Sequence, residues 1–168
     1  MNLKTHFSKL DKEHLVGELC RLVKLYPQIS EYYRGILPTN GDQENLEKYK
    51  AIIKKEFFPV RGHGKCRLAV AKKAVSDYTK IARDPSMAAD IMVYYVEMGA
   101  DFTDEYGDIY EAFYTSIENM FEDAIEFINK HQLQNMFRTR LDTVITTVQD
   151  CGYGFPDTLS SMLEELAT

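Results

Sequence analysis
Apolar residues recur at three- and four-residue steps through nearly every long segment of the chain. Two-residue alternation over a strand length is hard to find, so the pattern predicts an all-helical protein. Asp11 stands where it can cap a first helix carrying Leu15, Leu19, Leu22 and Val23. That helix ends at Tyr26, because the ring of Pro27 disfavours helical geometry in the residue before it. Pro27 opens a second helix with Ile29, Tyr32, Tyr33, Ile36 and Leu37. After the Pro38-Thr-Asn-Gly turn, a third helix carries Leu46, Tyr49, Ile52 and Ile53 on one face and closes at Phe57-Phe58-Pro59.

A fourth helix follows with the stripe Leu68, Ala71, Ala74, Val75, Tyr78, Ile81 and Ala82. Asp84-Pro85 starts a fifth, since Asp accepts the free N–H groups of a first turn and proline there loses no hydrogen bond. The fifth is apolar on more than one face, which predicts neighbours on at least two sides. It is expected to reach about Met98, with Gly99 as its C-terminal cap. Residues 101–108 read as a linker. A sixth helix carries Tyr110, Phe113, Ile117, Phe121 and Ile128 inward and breaks near His131-Gln132, and a seventh presents Leu133, Phe137, Leu141 and Val148. Gly152-Tyr-Gly ends the seventh, and Asp157 is expected to cap a last short helix. The reading is all-α: seven or eight helices as stacked antiparallel hairpins, either helical-repeat-like or an irregular orthogonal bundle. Two hairpins, 68–99 and 110–149, stand about 42 residues apart, within the period range of helical repeats. Residues 1–168 form one domain, with a candidate sub-boundary near 60–66.

Composition supports this. The chain has 168 residues, 45% of them hydrophobic and 27% charged. A chain of this length buries roughly 70% of its unfolded surface and needs neither disulfides nor a structural metal. Cys20, Cys66 and Cys151 are odd in number and far apart, which fits a reducing compartment. With no secretory h-region at the amino terminus and no apolar run long enough to span a bilayer, a cytoplasmic protein without membrane contact is expected. The net charge of −6 argues against a dedicated nucleic-acid binder, but that total conceals a polarised middle. Residues 54–83 carry nine Lys/Arg and two acids, whereas residues 84–129 carry twelve acids and no Lys or Arg. Either the blocks neutralise each other across solvated edges or they face different partners.

Candidate chemistry is sparse. Arg61-Gly-His-Gly-Lys-Cys-Arg67 combines flexible backbone with Arg61, His63, Lys65 and Arg67 and leads into a helix N-terminus, a setting that suits an anion. It lacks the spacing of a phosphate loop. His63 and Cys66 stand three apart, but a structural zinc site needs four ligands, so no metal is expected. The acidic run from Asp101 to Glu111 fails the calcium-loop test: aligning Gly107 with that loop's glycine puts Phe102 and Phe113 at ligand positions. Glu97 and Asp101, one turn apart, have no nucleophile or oxyanion donor beside them, so no catalytic residue and no cofactor is assigned. Tyr94, Tyr106 and their aromatic neighbours offer contact area around the acidic segment.

The strings Lys54-Lys-Glu-Phe-Phe-Pro59, Arg67-Leu-Ala-Val-Ala-Lys-Lys-Ala-Val-Ser-Asp-Tyr78, Tyr94-Tyr-Val-Glu-Met-Gly-Ala-Asp-Phe-Thr103, Tyr106-Gly-Asp108 and Gly152-Tyr-Gly-Phe-Pro-Asp-Thr-Leu159 resemble a bacterial family of functionally uncharacterised proteins. The segment from Leu68 to Asp108 is also similar, more faintly, to helical regions that accompany zinc-binding SWIM modules, whose Cys and His ligands this chain lacks. The first resemblance implies an all-helical single domain and singles out Lys72, Lys73, Glu97, Asp101, Tyr106, Asp108 and Asp157, without roles. The resulting expectation is a non-catalytic helical interaction or adaptor domain that binds a protein or peptide through its basic or acidic-aromatic face. The alternatives are a nucleic-acid-associated protein using residues 54–83 and an enzyme with a carboxylate site around residues 97–111.

Overall fold
Local signals set most of the helix boundaries. The computed structural model describes residues 2–36, 41–60 and 66–166. Among these it contains α1 (Leu3–Phe7), α2 (Lys12–Leu25), α3 (Pro27–Ile36), α4 (Gly41–Phe57), α5 (Leu68–Thr79), α6 (Pro85–Tyr106), α7 (Glu111–His131), α8 (Gln134–Thr147) and α9 (Phe155–Glu164). Asp11 accepts the His14 N–H at 2.9 Å, and Asp84 accepts the Ser86 N–H at 2.8 Å, so both expected caps are made. Pro27 separates α2 from α3 without a loop. The short α1, which the periodicity does not announce, is capped by Asn2.

Three boundaries differ from the sequence reading. Gly99 does not end the fifth predicted helix: α6 runs through it to Tyr106, and Gly107, at φ 77°, is the cap. A Cβ on Gly99 would lie 2.4 Å from the Ile117 Cδ1, so this glycine lets α7 approach α6 closely. The residues 101–106 read as linker are therefore helical. Asp157 does not cap α9 but lies in its first turn, behind the left-handed Gly154 and beside Pro156. Finally, α5 stops at Thr79, and Ile81 packs into the core from beyond its end.

Every pair of helices in substantial contact lies one or two positions apart in the chain, the neighbour-only pattern of stacked hairpins. Helix α6 is the inner member, touching α4, α5, α7 and α8. At the centre the Phe57 ring meets Tyr95, Phe102 and Phe113 at centroid distances of 5.6, 6.0 and 6.3 Å. The Tyr95 hydroxyl bonds Ser116 Oγ at 2.9 Å, and burial pushes its pKa up to about 12. Buried Glu31 fixes α3 on α4 by accepting from Tyr49 (2.6 Å) and Lys48, while its backbone carbonyl accepts from Asn45. By contrast α2 has no buried residue, and its substantial contact is with α3 alone. No helix among the described residues is long and apolar enough to cross a membrane.

The two helical glycines predict opposite effects. Gly99→Ala overpacks the α6–α7 contact and costs about 1–3 kcal/mol in urea denaturation. Gly17, with nothing within 4 Å of its notional Cβ, gains on substitution by Ala: α2 is stabilised by roughly 0.5–1 kcal/mol, read as slower amide exchange along it.

Candidate interaction site
Asp90, Tyr94, Glu97 and Asp101 follow one another at three- and four-residue steps and so share a face of α6. Arg140 from α8 clamps Glu97 with two hydrogen bonds of 2.7 Å and reaches Asp90 at 2.5 Å. Lys50 from α4 meets the other Asp90 oxygen at 2.6 Å and lies 5.1 Å from the Tyr94 ring centroid. The fork-on-fork geometry is the strongest form of such pairing. Burial opposes the charge of Arg140, but its bonds and attraction to Glu97 and Asp90 outweigh that and raise its pKa. A cleft of about 300 Å³ opens beside the network, walled by Leu46, Met87 and Phe137. Sequence reasoning named Tyr94, Glu97 and Asp101 but missed Asp90, Lys50 and Arg140. Helical spacing from Glu97 could have found Asp90; the two cations come from other helices and leave no local signal. Asp101 stays outside the network, where loss of solvent and the like charges of Glu97 and Asp104 raise its carboxyl pKa.

The strings around Asp108 and Gly152 meet at the C-terminal end of α6. Asp108 accepts from the Tyr114 hydroxyl at 3.2 Å and from the Gly152 N–H at 3.1 Å. Tyr114 also bonds Thr103, to which the Cys151 thiol donates. A Cβ on Gly152 would lie 3.1 Å from the Asp108 carboxylate, so glycine permits this contact. The Tyr106 ring lies 4.7 Å from Phe102 and stacks on Phe58 at 6.3 Å. Asp108 and Tyr106 thus hold two chain segments together. Burial raises the thiol pKa of Cys151, and that of Cys66 to about 11, which disfavours the thiolate at both. Among the described residues no three His, Cys, Asp or Glu side chains converge to hold a metal ion.

In the basic block, Arg61, His63 and Lys65 lie outside the described residues. Arg67 is forked onto buried Glu56 at 2.8 and 2.7 Å and closes the loop ahead of α5. Arg67 first, through its hydrogen bond, holds the Glu56 carboxyl below its ordinary value. Lys73 on α5 and Lys80 just past its end both approach Asp77, and Lys72 lies half-buried in a cleft of about 270 Å³ beside Met92, Met120 and Phe127. Among the described residues, no ion pair joins a cation of residues 54–83 to an acid of residues 84–129; Lys50 and Arg140 meet the acids instead.

Uncovered apolar surface also lies on α2 and α3. Val16 and Leu19 are 50% and 42% exposed and with half-buried Val23 form a seam along α2 at steps of three and four; Tyr26, 53% exposed, lies just past its end in extended backbone. Beside it Leu19, Cys20, Val23, Lys24 and Tyr33 line an apolar cleft of about 360 Å³ between α2 and α3. Tyr32 and Ile36 add further exposed area on α3. The periodicity announces this stripe, but it takes the tertiary structure to leave it bare.

A model of a family of unknown function (DUF6155) matches residues 1–152. No curated protein and no solved structure matches the chain.

Two outcomes follow from the ion pairs. Replacing Arg140 by Ala leaves Glu97 partly buried without its cation while Asp90 keeps only Lys50, with an expected loss of about 1–3 kcal/mol in chemical denaturation. Glu56 has a native pKa below its unfolded value, so its pairing stabilises the fold above pH 4.5 and that contribution disappears as pH falls through the native value. The Glu56→Gln protein is expected to lose less of its Tm on acidification below pH 4.5 than the parent; equal losses would contradict it.

Proposed function
We propose that the chain, which belongs to the DUF6155 family of unknown function, is a non-catalytic helical interaction domain that takes up a protein or peptide partner on the outer face of α2 and α3. The observation that carries this reading is the bare seam on α2. Soluble proteins rarely leave contiguous apolar surface uncovered, and a helical stack normally ends in a unit with a polar outer face. Here the outermost long helix presents Val16, Leu19 and Val23, with Tyr26 just past its end. The three cysteines are unpaired, which supports a reducing, cytoplasmic setting.

This moves the binding face away from the acidic and aromatic residues of α6. Tyr94, Glu97, Tyr106 and Asp108 all make contacts within the fold, so they supply positioning rather than a free surface. The same accounting weakens the alternatives. Glu97 is neutralised by Arg140 and Asp108 is engaged by a hydroxyl and an N–H, which disfavours either as a proton shuttle. Arg67, Lys73 and Lys80 are drawn to Glu56 and Asp77, which lowers the charge left for a phosphate backbone.

A photo-crosslinking residue placed at Val16 in the full chain inside the native cell is expected to give discrete adducts. The same residue at Glu122, on the exposed face of α7, should give none. Adducts only from Glu122, or none from either position, would overturn the proposal.

A further inference from the structure
We propose that the cleft between α5 and α7 is a binding site for a free apolar α-amino acid, held as its zwitterion with the carboxylate toward Lys72 and the ammonium toward Asp123. The site lies away from the outer face of α2 and α3 and does not depend on what that face binds.

The ring of helices around α6 has two gaps. Helix α4 packs on α5 and α7 touches α8, but neither α4 with α8 nor α5 with α7 makes substantial contact. Charge seals the first gap: Asp90 of α6 is bonded by Lys50 of α4 at 2.6 Å and by Arg140 of α8 at 2.5 Å. The second gap has no such bridge among the described residues, and it is the cleft of about 270 Å³ walled by α5 and α7.

Opposite charges stand on its two walls without meeting. Lys72 lines it from α5 and Asp123 from α7, and among the described residues neither side chain has a hydrogen bond or ion pair. Lys73 and Lys80 are drawn to Asp77 instead, and the α6 residue in the cleft, Met92, is uncharged. Helices that pack on a common third helix but not on each other stand farther apart than the about 8–10 Å of a packed pair, so the two charges are kept for something placed between them. Ser76, one turn after Lys72 on the same wall, also has a hydroxyl without a partner among the described residues. Ammonium and hydroxyl can share one carboxylate.

Between the charges the surface is apolar. Val75, Met92 and Met120 are buried and form the floor, and the Phe127 ring, 4.3 Å from that of His131, adds a wall. Methionine side chains adapt their shape to an apolar group laid against them. A simple carboxylate in this cleft would leave Asp123 desolvated and unpaired, a simple amine would leave Lys72 so, and a neutral molecule both. A zwitterion with an apolar body answers each wall and the floor. The volume lies at the lower edge of the range of small-molecule sites, roughly 300–1,000 Å³, which suits a ligand of one residue and is too small for a docked helix.

Methyl NMR of the full chain with ¹³C-labelled methionine tests this, because two of the seven methionines line the cleft. On titration with L-leucine the Met92 and Met120 signals, assigned through Met92→Leu and Met120→Leu, are expected to shift saturably with a Kd on the order of 1 mM, while that of Met136 in the other gap stays. 4-Methylpentanoate and 3-methylbutylamine, which are leucine without its ammonium and without its carboxylate, should bind roughly tenfold more weakly. Lys72→Gln should abolish the preference for leucine over the amine, and Asp123→Asn the preference over the carboxylate, with helical circular dichroism and Tm unchanged in both. No saturable shift at Met92 and Met120 overturns the proposal. So does either half-ligand binding as well as leucine, leucine binding that neither variant weakens, or shifts confined to Met136.

Discussion
The need to bury the 22-residue α6 on several sides governs the rest of the structure. Its apolar residues do not keep to one stripe, so a single neighbour could not cover them, and four helices are recruited. Small residues set how closely they come. Ala88, Ala89, Gly99 and Ala100 lie buried along α6, and at Gly99 the Ile117 side chain takes the space a Cβ would need. Phe57, fully buried and ringed by aromatics from α6 and α7, closes the core from α4. Full burial of one such ring is worth roughly 1.5–3 kcal/mol.

Ion pairs then choose among the ways the helices could pack. The Lys50–Asp90–Arg140–Glu97 network ties α4, α6 and α8 at one level, and Arg67–Glu56 ties the start of α5 to α4. Partly buried pairs of this kind contribute little net stability once desolvation is counted, but a shifted helix would leave charges unpaired. The network also explains how the acidic middle of the chain is tolerated: two of its carboxylates are neutralised from α4 and α8, outside the basic block.

These constraints reach α3 through Glu31 and stop there. Helix α2 lies beyond the last polar anchor, held against α3 by part of its apolar arc while the remainder stays bare. Because α2 adds no buried residue to the core, another molecule can cover its outer face without disturbing that core.

Residue patterns alone were enough for the helical class, the caps at Asp11 and Asp84, the breaks at Pro27 and Gln132 and the inner position of α6, because these follow from near-neighbour sterics and periodicity. They were insufficient at Gly99, since a glycine that ends a helix and one that admits a neighbouring helix look identical until Ile117 is in place. The same holds for the site residues. Glu97 and Arg140 stand 43 residues apart, and no local spacing links them. Amphipathic spacing on α2 was equally legible, but a stripe records only that a helix has an apolar face. Whether that face is covered depends on what the rest of the chain brings against it, and the tertiary structure alone decided that part of it is left open.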